Sequence, residues 1–394
     1  MRDGIYPRSL MRVLMLSPYP VSPITHGGRA RIAGLGRGLA AAGGDVTVLS
    51  PWHPRQRLDW LEPMVGHRSH KLATSAVAFA LPSRVAPTQA VLSLEPRLTA
   101  RRLLRRLGAF DVYQFEFCAH ARWMELLPPQ AVVVYSAHNV ERDFFAGERS
   151  RYLLSAASGR RIEQLEASAV TRSDLVIACT DEDAARLRSL YGEHRSLVLS
   201  NAPSHEVAGM RRGALRASAR DRLGLHAHER AILFLGGDAA HNRDAVSFLV
   251  REVAPRLGAD ARLLLAGASA RAAGGHRDGR VLVLGEVADV RPLLAAADVG
   301  VNPVAHGAGS SVKVRDYLAA GLPVLTTEAG ARGLRRGDRR IRVVSRQGLP
   351  AALARRLPAG GDPSPGDGAW EELGRRLHDE LEVLRAARLR TAPP

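Results

Sequence analysis

Three short stretches of this chain hold the side chains best suited to chemistry. The first is HNVE at 138–141, which follows the apolar run VVVY and puts His138 and Glu141 just past the end of a strand. Histidine titrates near neutrality and moves protons readily there, although a strand-end histidine also serves as a plain structural hydrogen-bonder. The second is the Gly27–Gly28 pair behind the first apolar run. Paired glycines at a strand-to-helix turn let a ligand approach backbone N–H groups, and the helix start favours an anion; a simple tight turn is the alternative. The third and most informative is HGAGSSVKVRDYLAAGLPVLTT, 306–327. Gly307 and Gly309 make a loop, Ser310 or Ser311 can cap a helix, and Lys313, Asp316 and Tyr317 fall in its first turns. Glycines, a capping serine and a lysine at a helix start form an anion site of the kind that takes a phosphate or diphosphate.

Several familiar phosphate and metal sites are excluded by spacing. There is no GxxxxGK[ST] and no GxGxxG, so neither a P-loop nor a nicotinamide dinucleotide fold is read here. Asp181, Glu182 and Asp183 form a D-x-D string, but Thr180 precedes them and AARLRSLYG follows. That is a helix start with Thr180 as N-cap and acids in the first turn, so no metal site is expected.

These residues need strands and helices to place them. Strand-like runs at 12–16, 45–50, 111–115, 131–137 and 174–179 alternate with helix-period stretches, and a second series follows at 231–237, 262–268, 280–286, 298–304 and 322–327. The alternation predicts two tandem Rossmann-like α/β domains with parallel sheets, joined by a linker where the pattern breaks at 200–230. The expected boundaries are 1–205, 206–360 and a tail, 361–394. The loop PAGGDPSPGDG, 358–368, leads into the tail, which ends in an amphipathic helix with Trp370, Leu373, Leu377, Leu381 and Leu384 on one face.

At 394 residues, with 46% hydrophobic and 24% charged side chains, the chain is a folding, two-domain globular mixture. A net charge of +17 would suggest nucleic acid, yet of 56 basic residues only Lys71 and Lys313 are lysine, the mark of a GC-rich coding bias. The arginines are scattered and aromatics are 5%, so no nucleic-acid partner is expected. Two cysteines, no apolar run of transmembrane length and no leader-like start point to a cytoplasmic protein. Peripheral contact with the inner face of the cell membrane is also expected. Leu98, Leu103, Leu104 and Leu107 interleave with Arg97, Arg101, Arg102, Arg105 and Arg106 as an arginine-faced amphipathic helix, for which packing of the leucines on the domain's own sheet with solvated arginines is the alternative to lying on an anionic leaflet.

The stretches SPYP…HGGRARI, HNVE, SDLVIACTDEDAARLRSLYG, SNAP and GAGSSVKVRDYLAAGLPVLTTEAGARGL, in this order over about 11–350, resemble the group 1 glycosyltransferases of the retaining family 4 class. The resemblance implies a GT-B fold, two Rossmann-like domains facing across a cleft. It also implies a nucleotide-diphosphate sugar as substrate rather than a cofactor, bound mainly by the C-terminal domain, and no metal. Transfer would go with retention to a hydroxyl of a saccharide or lipid-linked acceptor on the N-terminal domain, in bacterial polysaccharide or glycoconjugate assembly. By position, His138 matches the family's active-site histidine and Gly27–Gly28 borders the reacting diphosphate. Gly309, Ser310, Ser311 and Lys313 would cradle phosphates, and Asp316 takes the second acidic place of E-x7-E, which contacts the ribose. Glu141 falls on the acceptor side. The first acidic place is Ala308, and Arg243 is the one cation where the family carries an Arg and a Lys. An epimerase or phosphorylase on the same frame, or a sugar-nucleotide-binding subunit without turnover, are the alternatives.

Overall fold

Unbroken apolar strands must be covered on both faces, and parallel strands can be joined only by long crossovers, so each sheet requires helices on either side. The computed structural model describes residues 10–22, 24, 26–52, 65–81, 84–204, 206–208, 210, 212–274, 279–306, 310–334, 337–355 and 369–391. They belong to two units, Met1–Leu199 with Ala369–Pro394, and Ser200–Gly368.

In the first unit the elements run β1 (Arg12–Leu16), α1 (Gly27–Ala41), β2 (Asp45–Pro51), β3 (Gly66–His70), α2 (Ala73–Ala80), α3 (Thr88–Leu92), α4 (Arg97–Leu107) and β4 (Val112–Glu116). They continue with β5 (Val132–Ser136), α5 (Glu141–Glu148), α6 (Ser155–Arg172), β6 (Leu175–Ala178), α7 (Asp181–Tyr191) and β7 (Ser196–Val198). The seven strands are all parallel in the order β3-β2-β1-β4-β5-β6-β7. The second unit has α8 (Arg212–Arg222), β8 (Arg230–Leu235), α9 (Ala240–Phe248), β9 (Ala261–Ala266), β10 (Val281–Gly285) and α10 (Arg291–Ala296). After these come β11 (Val299–Asn302), α11 (Val312–Ala319), β12 (Val324–Thr326), β13 (Ile341–Val343) and α12 (Leu349–Ala354). Its sheet, β10-β9-β8-β11-β12-β13, is again parallel and repeats the first unit's order over six strands. Both are doubly wound Rossmann-like sheets.

All ten predicted strands are present, and three more lie where no apolar run announced them. β3 (GHRSH), β7 (SLV) and β13 (IRV) are sheet edges. An edge strand pairs on one side only and buries little, so it needs no continuous apolar sequence. The stretch 200–230, expected as a linker, lies within the second unit and contains α8. Three arginines one turn apart seat that helix: Arg212, Arg216 and Arg220 donate to the carbonyls that end α10, and Arg216 and Arg220 also pair with Asp298. Capping of α10's free carbonyls explains why a helix so rich in Arg docks there.

The tail helix, α13 (Trp370–Thr391), belongs to the first unit and packs on α1. Ile32, Leu35 and Leu39 of α1 are fully buried, as the sequence required. The opposite contact is made of glycine. A Cβ at Gly34 would lie 2.1 Å from the Trp370 ring, and one at Gly38 would lie 2.0 Å from the Trp370 carbonyl oxygen. One at Gly374 would meet Gly38 at 2.0 Å, so the two backbones touch.

This contact predicts opposite outcomes for two Gly→Ala changes. Gly38→Ala must push the helices apart and should lower the stability of the first unit by roughly 1 to 3 kcal/mol, the ordinary cost of overpacking. Gly213→Ala adds a methyl into open space on α8 and should raise stability by about 0.5 to 1 kcal/mol. Urea unfolding of both variants checks this; wild-type behaviour of Gly38→Ala would refute the glycine contact.

Candidate functional site

An open parallel sheet holds ligands beyond its carboxyl edge, where neighbouring strands send their connections in opposite directions. In the first unit that point lies between β1 and β4, in the second between β8 and β11.

At the edge of the first sheet the chain collects Tyr19, His26, Gly28, Phe117 and His138. His138 follows β5 and its Nε2 lies 2.6 Å from Glu116 Oε2 at the end of β4, with both side chains buried. Gln114 Nε2 donates to the other Glu116 oxygen at 2.5 Å. A carboxylate oxygen accepts, so the shared proton sits on Nε2, and Nδ1 is left as the imidazole's acceptor. Burial pushes the His138 pKa down, against the pull of Glu116, and holds the ring neutral near pH 7. Phe117, with φ of 63°, is the one non-glycine residue in the left-handed region among the described residues, and its ring stacks on His138 with centroids 3.9 Å apart. Strain of this kind persists where the surroundings fix it, and functional edges are where it gathers.

The histidine is thus buried, and its loss would remove one of the two side-chain donors that reach the buried Glu116 carboxylate. Gly27 and Gly28 open α1, whose N-cap, His26, makes no side-chain capping bond. The space that Gly28 leaves is filled by protein, since a Cβ there would lie 2.2 Å from the Tyr19 hydroxyl and 3.3 Å from the His26 ring. That hydroxyl is buried with no hydrogen-bond partner among the described residues, and burial raises its pKa.

Glu141 does not join this group through hydrogen bonds. It begins α5, buried, and accepts from Gln89 Nε2 at 2.8 Å and from Asn139 Nδ2 at 3.3 Å. Burial, with the nearby Glu166 charge, raises its pKa to about 8. Glu166 of α6 in turn accepts the Glu141 and Arg142 backbone N–H groups at 2.6 and 3.1 Å and so caps α5. Thr180 caps α7 as predicted, accepting from the Asp183 N–H at 3.0 Å, and this accounts for the D-x-D string.

At the edge of the second sheet, α9 leaves β8 and α11 leaves β11. Lys313 in the first turn of α11 donates from Nζ to Asn242 Oδ1 of α9 at 2.6 Å and lies 4.3 Å from the Phe234 ring centroid. Burial brings its pKa down to about 7. Arg243, the next residue on α9, pairs with Asp238 at 2.7 Å. His241 is pushed to about 4, first by burial and then by the charges of Lys313, His306 and Arg243. Neither serine caps α11 with its side chain: Ser311 holds the N-cap position without such a bond. Ser310 is taken up by Asn201, whose N–H donates to its Oγ at 3.0 Å and whose Nδ2 donates to its carbonyl at 2.9 Å. Asp316 is buried and accepts from Ser204 N at 2.6 Å and Ser204 Oγ at 3.0 Å; burial raises its pKa to about 7. Gly309 and Ala308 lie outside the described residues.

Each unit thus gathers part of the expected set, His138 beside Gly28 in one and Lys313 beside Arg243 in the other. Tyr19, Glu116, Gln114, Phe117, Asn242 and Ser204 went unread. Only Glu116 left a trace in the sequence, a lone carboxylate at the end of the apolar run DVYQF.

The comparisons with known proteins agree with this architecture. Residues 25–203 match the family described as Glycosyltransferase Family 4, and residues 229–358 the one described as Glycosyl transferases group 1. No curated protein sequence matches the chain. Among solved structures, sucrose-phosphate synthase from Thermosynechococcus elongatus is similar at a TM-score of 0.62 and 17% identity, over 96% of this chain and 97% of that one. Anabaena HepE in complex with UDP-glucose gives 0.60 and 14%, over 97% and 99%. WaaG, a glycosyltransferase involved in lipopolysaccharide biosynthesis, gives 0.58 and 19%, over 97% and 100%. With both units matched in order and both sheets of the doubly wound type, the chain belongs to the group 1, family 4 glycosyltransferases of GT-B fold.

Proposed function

We propose that the protein transfers a sugar, with retention, from a nucleotide-diphosphate donor to an acceptor hydroxyl in polysaccharide or glycoconjugate assembly, and that it does so without a divalent metal. The observation that carries this reading is Lys313 of α11, held by Asn242 of α9 beside Arg243 at the switch point of the second sheet. A departing nucleoside diphosphate is the species such a site would stabilise, because catalysis of this transfer is chiefly stabilisation of the leaving group's charge. The UDP-glucose complex of HepE, a structure of the same fold, is in keeping with such a donor. The sugar C1–O bond to the diphosphate breaks as the bond to the acceptor oxygen forms on the same face, and the acceptor's proton passes to the leaving diphosphate oxygen. In the first unit, the Glu116 contact fixes the His138 ring and leaves Nδ1 to meet a sugar hydroxyl. Arginines of α4 give the same unit an affinity for an anionic leaflet, where a lipid-linked acceptor would be found.

Three outcomes test it. Transfer from a UDP- or GDP-sugar should persist in EDTA, with the donor's anomeric configuration kept in the product by NMR; activity restored only by Mn²⁺ or Mg²⁺ would reject metal independence.

Lys313→Ala should weaken UDP or GDP binding about 10- to 100-fold, the range for a lost charged hydrogen bond. The sign of the pH effect follows from the Lys313 pKa near 7. A bound diphosphate favours the ammonium and raises that pKa, so binding at pH 8 should take up a proton and affinity should fall as pH rises above 7. Calorimetry in buffers of different ionisation enthalpy reads the uptake, and its absence, or its survival in Lys313→Ala, would remove Lys313 from the site.

His138→Ala should abolish turnover and also lower stability by about 3 kcal/mol, the cost of breaking a buried pair. His138→Gln, which can still donate to Glu116, should recover the stability without the turnover. Wild-type turnover in His138→Gln would reduce the histidine to a structural part.

A further inference from the structure

The second helix of the first unit is out of place in water. α2 (ATSAVAFA) has only Ser75 buried; Val77 and Phe79 are 48% and 44% exposed, and Ala73, Ala76 and Ala80 are exposed beside them. A surface helix ordinarily turns a polar face outward. Here twelve consecutive residues, 72–83, carry no charge at all. The helix is nevertheless tied down, because Thr74 donates to the buried Glu95 carboxylate and Leu72 packs on the core. Just beyond it, the backbone carbonyls of Arg84 and Val85 accept from the N–H groups of Leu153 and Leu154 at 2.8 and 3.0 Å. Those two leucines are 75% and 55% exposed. An apolar patch of this sort marks a place of contact.

Charge decides what the contact is with. Residues 71–107 carry seven basic side chains and one acidic, and that one, Glu95, is turned inward to Thr74. Arg84, Arg101, Arg102, Arg105, Arg106 and Arg149 are all exposed. A short apolar element in a unit with so many exposed arginines, Arg84 just past its end among them, matches the boundary of an anionic bilayer, with apolar side chains among the upper acyl chains and guanidinium groups at the phosphates. An eight-residue helix is about 12 Å long and too short to span a bilayer, so it lies in the interface.

We propose that α2, with Leu153 and Leu154, inserts into the headgroup layer of an anionic membrane. This rests on the membrane reading of α4 given above and adds to it an apolar, salt-resistant component on a different element. Electrostatic attraction alone is screened by salt, whereas buried apolar surface is not.

The test uses the full chain and vesicles of phosphatidylcholine with or without phosphatidylglycerol. Phe79→Cys can carry an environment-sensitive dye selectively, because Cys118 and Cys179 are buried. On anionic vesicles its emission should shift to the blue and be quenched by lipid-borne quenchers. Val77→Asp with Phe79→Asp should weaken vesicle binding at least tenfold and remove the part that survives high salt, with the melting temperature unchanged. Changing Arg101, Arg102, Arg105 and Arg106 to Gln should remove the salt-sensitive part. Vesicle binding that is lost in the arginine variant while the dye at position 79 stays in water would overturn the inference and leave the α4 reading standing. No binding by the wild type would overturn both. A lipid-free dimer that becomes monomeric in the Val77→Asp, Phe79→Asp variant, without vesicle binding, would assign the patch to a second copy and overturn the inference as well.

Discussion

Parallel strands cannot be joined by tight turns, and this restriction decides where everything functional in the molecule can lie. Each strand must be followed by a crossover that leaves from its carboxyl end, so the loops with chemistry collect on one edge of each sheet. Because the strand order reverses between β1 and β4, and again between β8 and β11, the departing chains part there and expose the starts of α1, α9 and α11. His138, Gly28, Lys313 and Arg243 are brought to those edges by topology, from positions as far apart in sequence as 28 and 138 or 243 and 313.

What the topology supplies in position it costs in solvation. Side chains at these edges are largely buried, and their ionisation reflects it: Lys313 and Asp316 both come to about 7 from opposite sides, and Glu141 rises to about 8. Groups poised in this way respond strongly to a charged ligand, since a small change in field alters their protonation. The neutral His138 is kept in one orientation by Glu116 below it and the Phe117 ring against its face. Asp316 is drawn instead to Ser204, so the segment that opens the second unit is fastened to the helix that carries Lys313.

Much of this was legible in the residues. The strands with two neighbours announced themselves because VVVY or ILFL must be covered on both sides, and Thr180 was readable as a cap because cap chemistry is local. Three of the four edge strands were silent, GHRSH because it buries almost nothing, whereas the edge strand β10 announced itself as RVLVLGE. Site partners were harder still. That Ser310 answers to Asn201 and Lys313 to Asn242 depends on chain segments 109 and 71 residues away, and no periodicity encodes such a meeting. Gly28 shows a subtler failure: the need for a bare Cα was evident, but the Tyr19 hydroxyl over it was not.

The glycine seam between α1 and α13 has a consequence for biosynthesis. The first unit is completed by the last helix of the chain, with all 169 residues of the second unit inserted between its parts. During translation the strands of the first sheet emerge early, yet the Gly34 and Gly38 side of α1 stays uncovered until Trp370 and Gly374 leave the ribosome. Domains generally fold in the order of synthesis. Here the second unit emerges whole before the first can close, so the order of completion is reversed, and a nascent chain stalled between α12 and α13 would hold one finished domain and one open one.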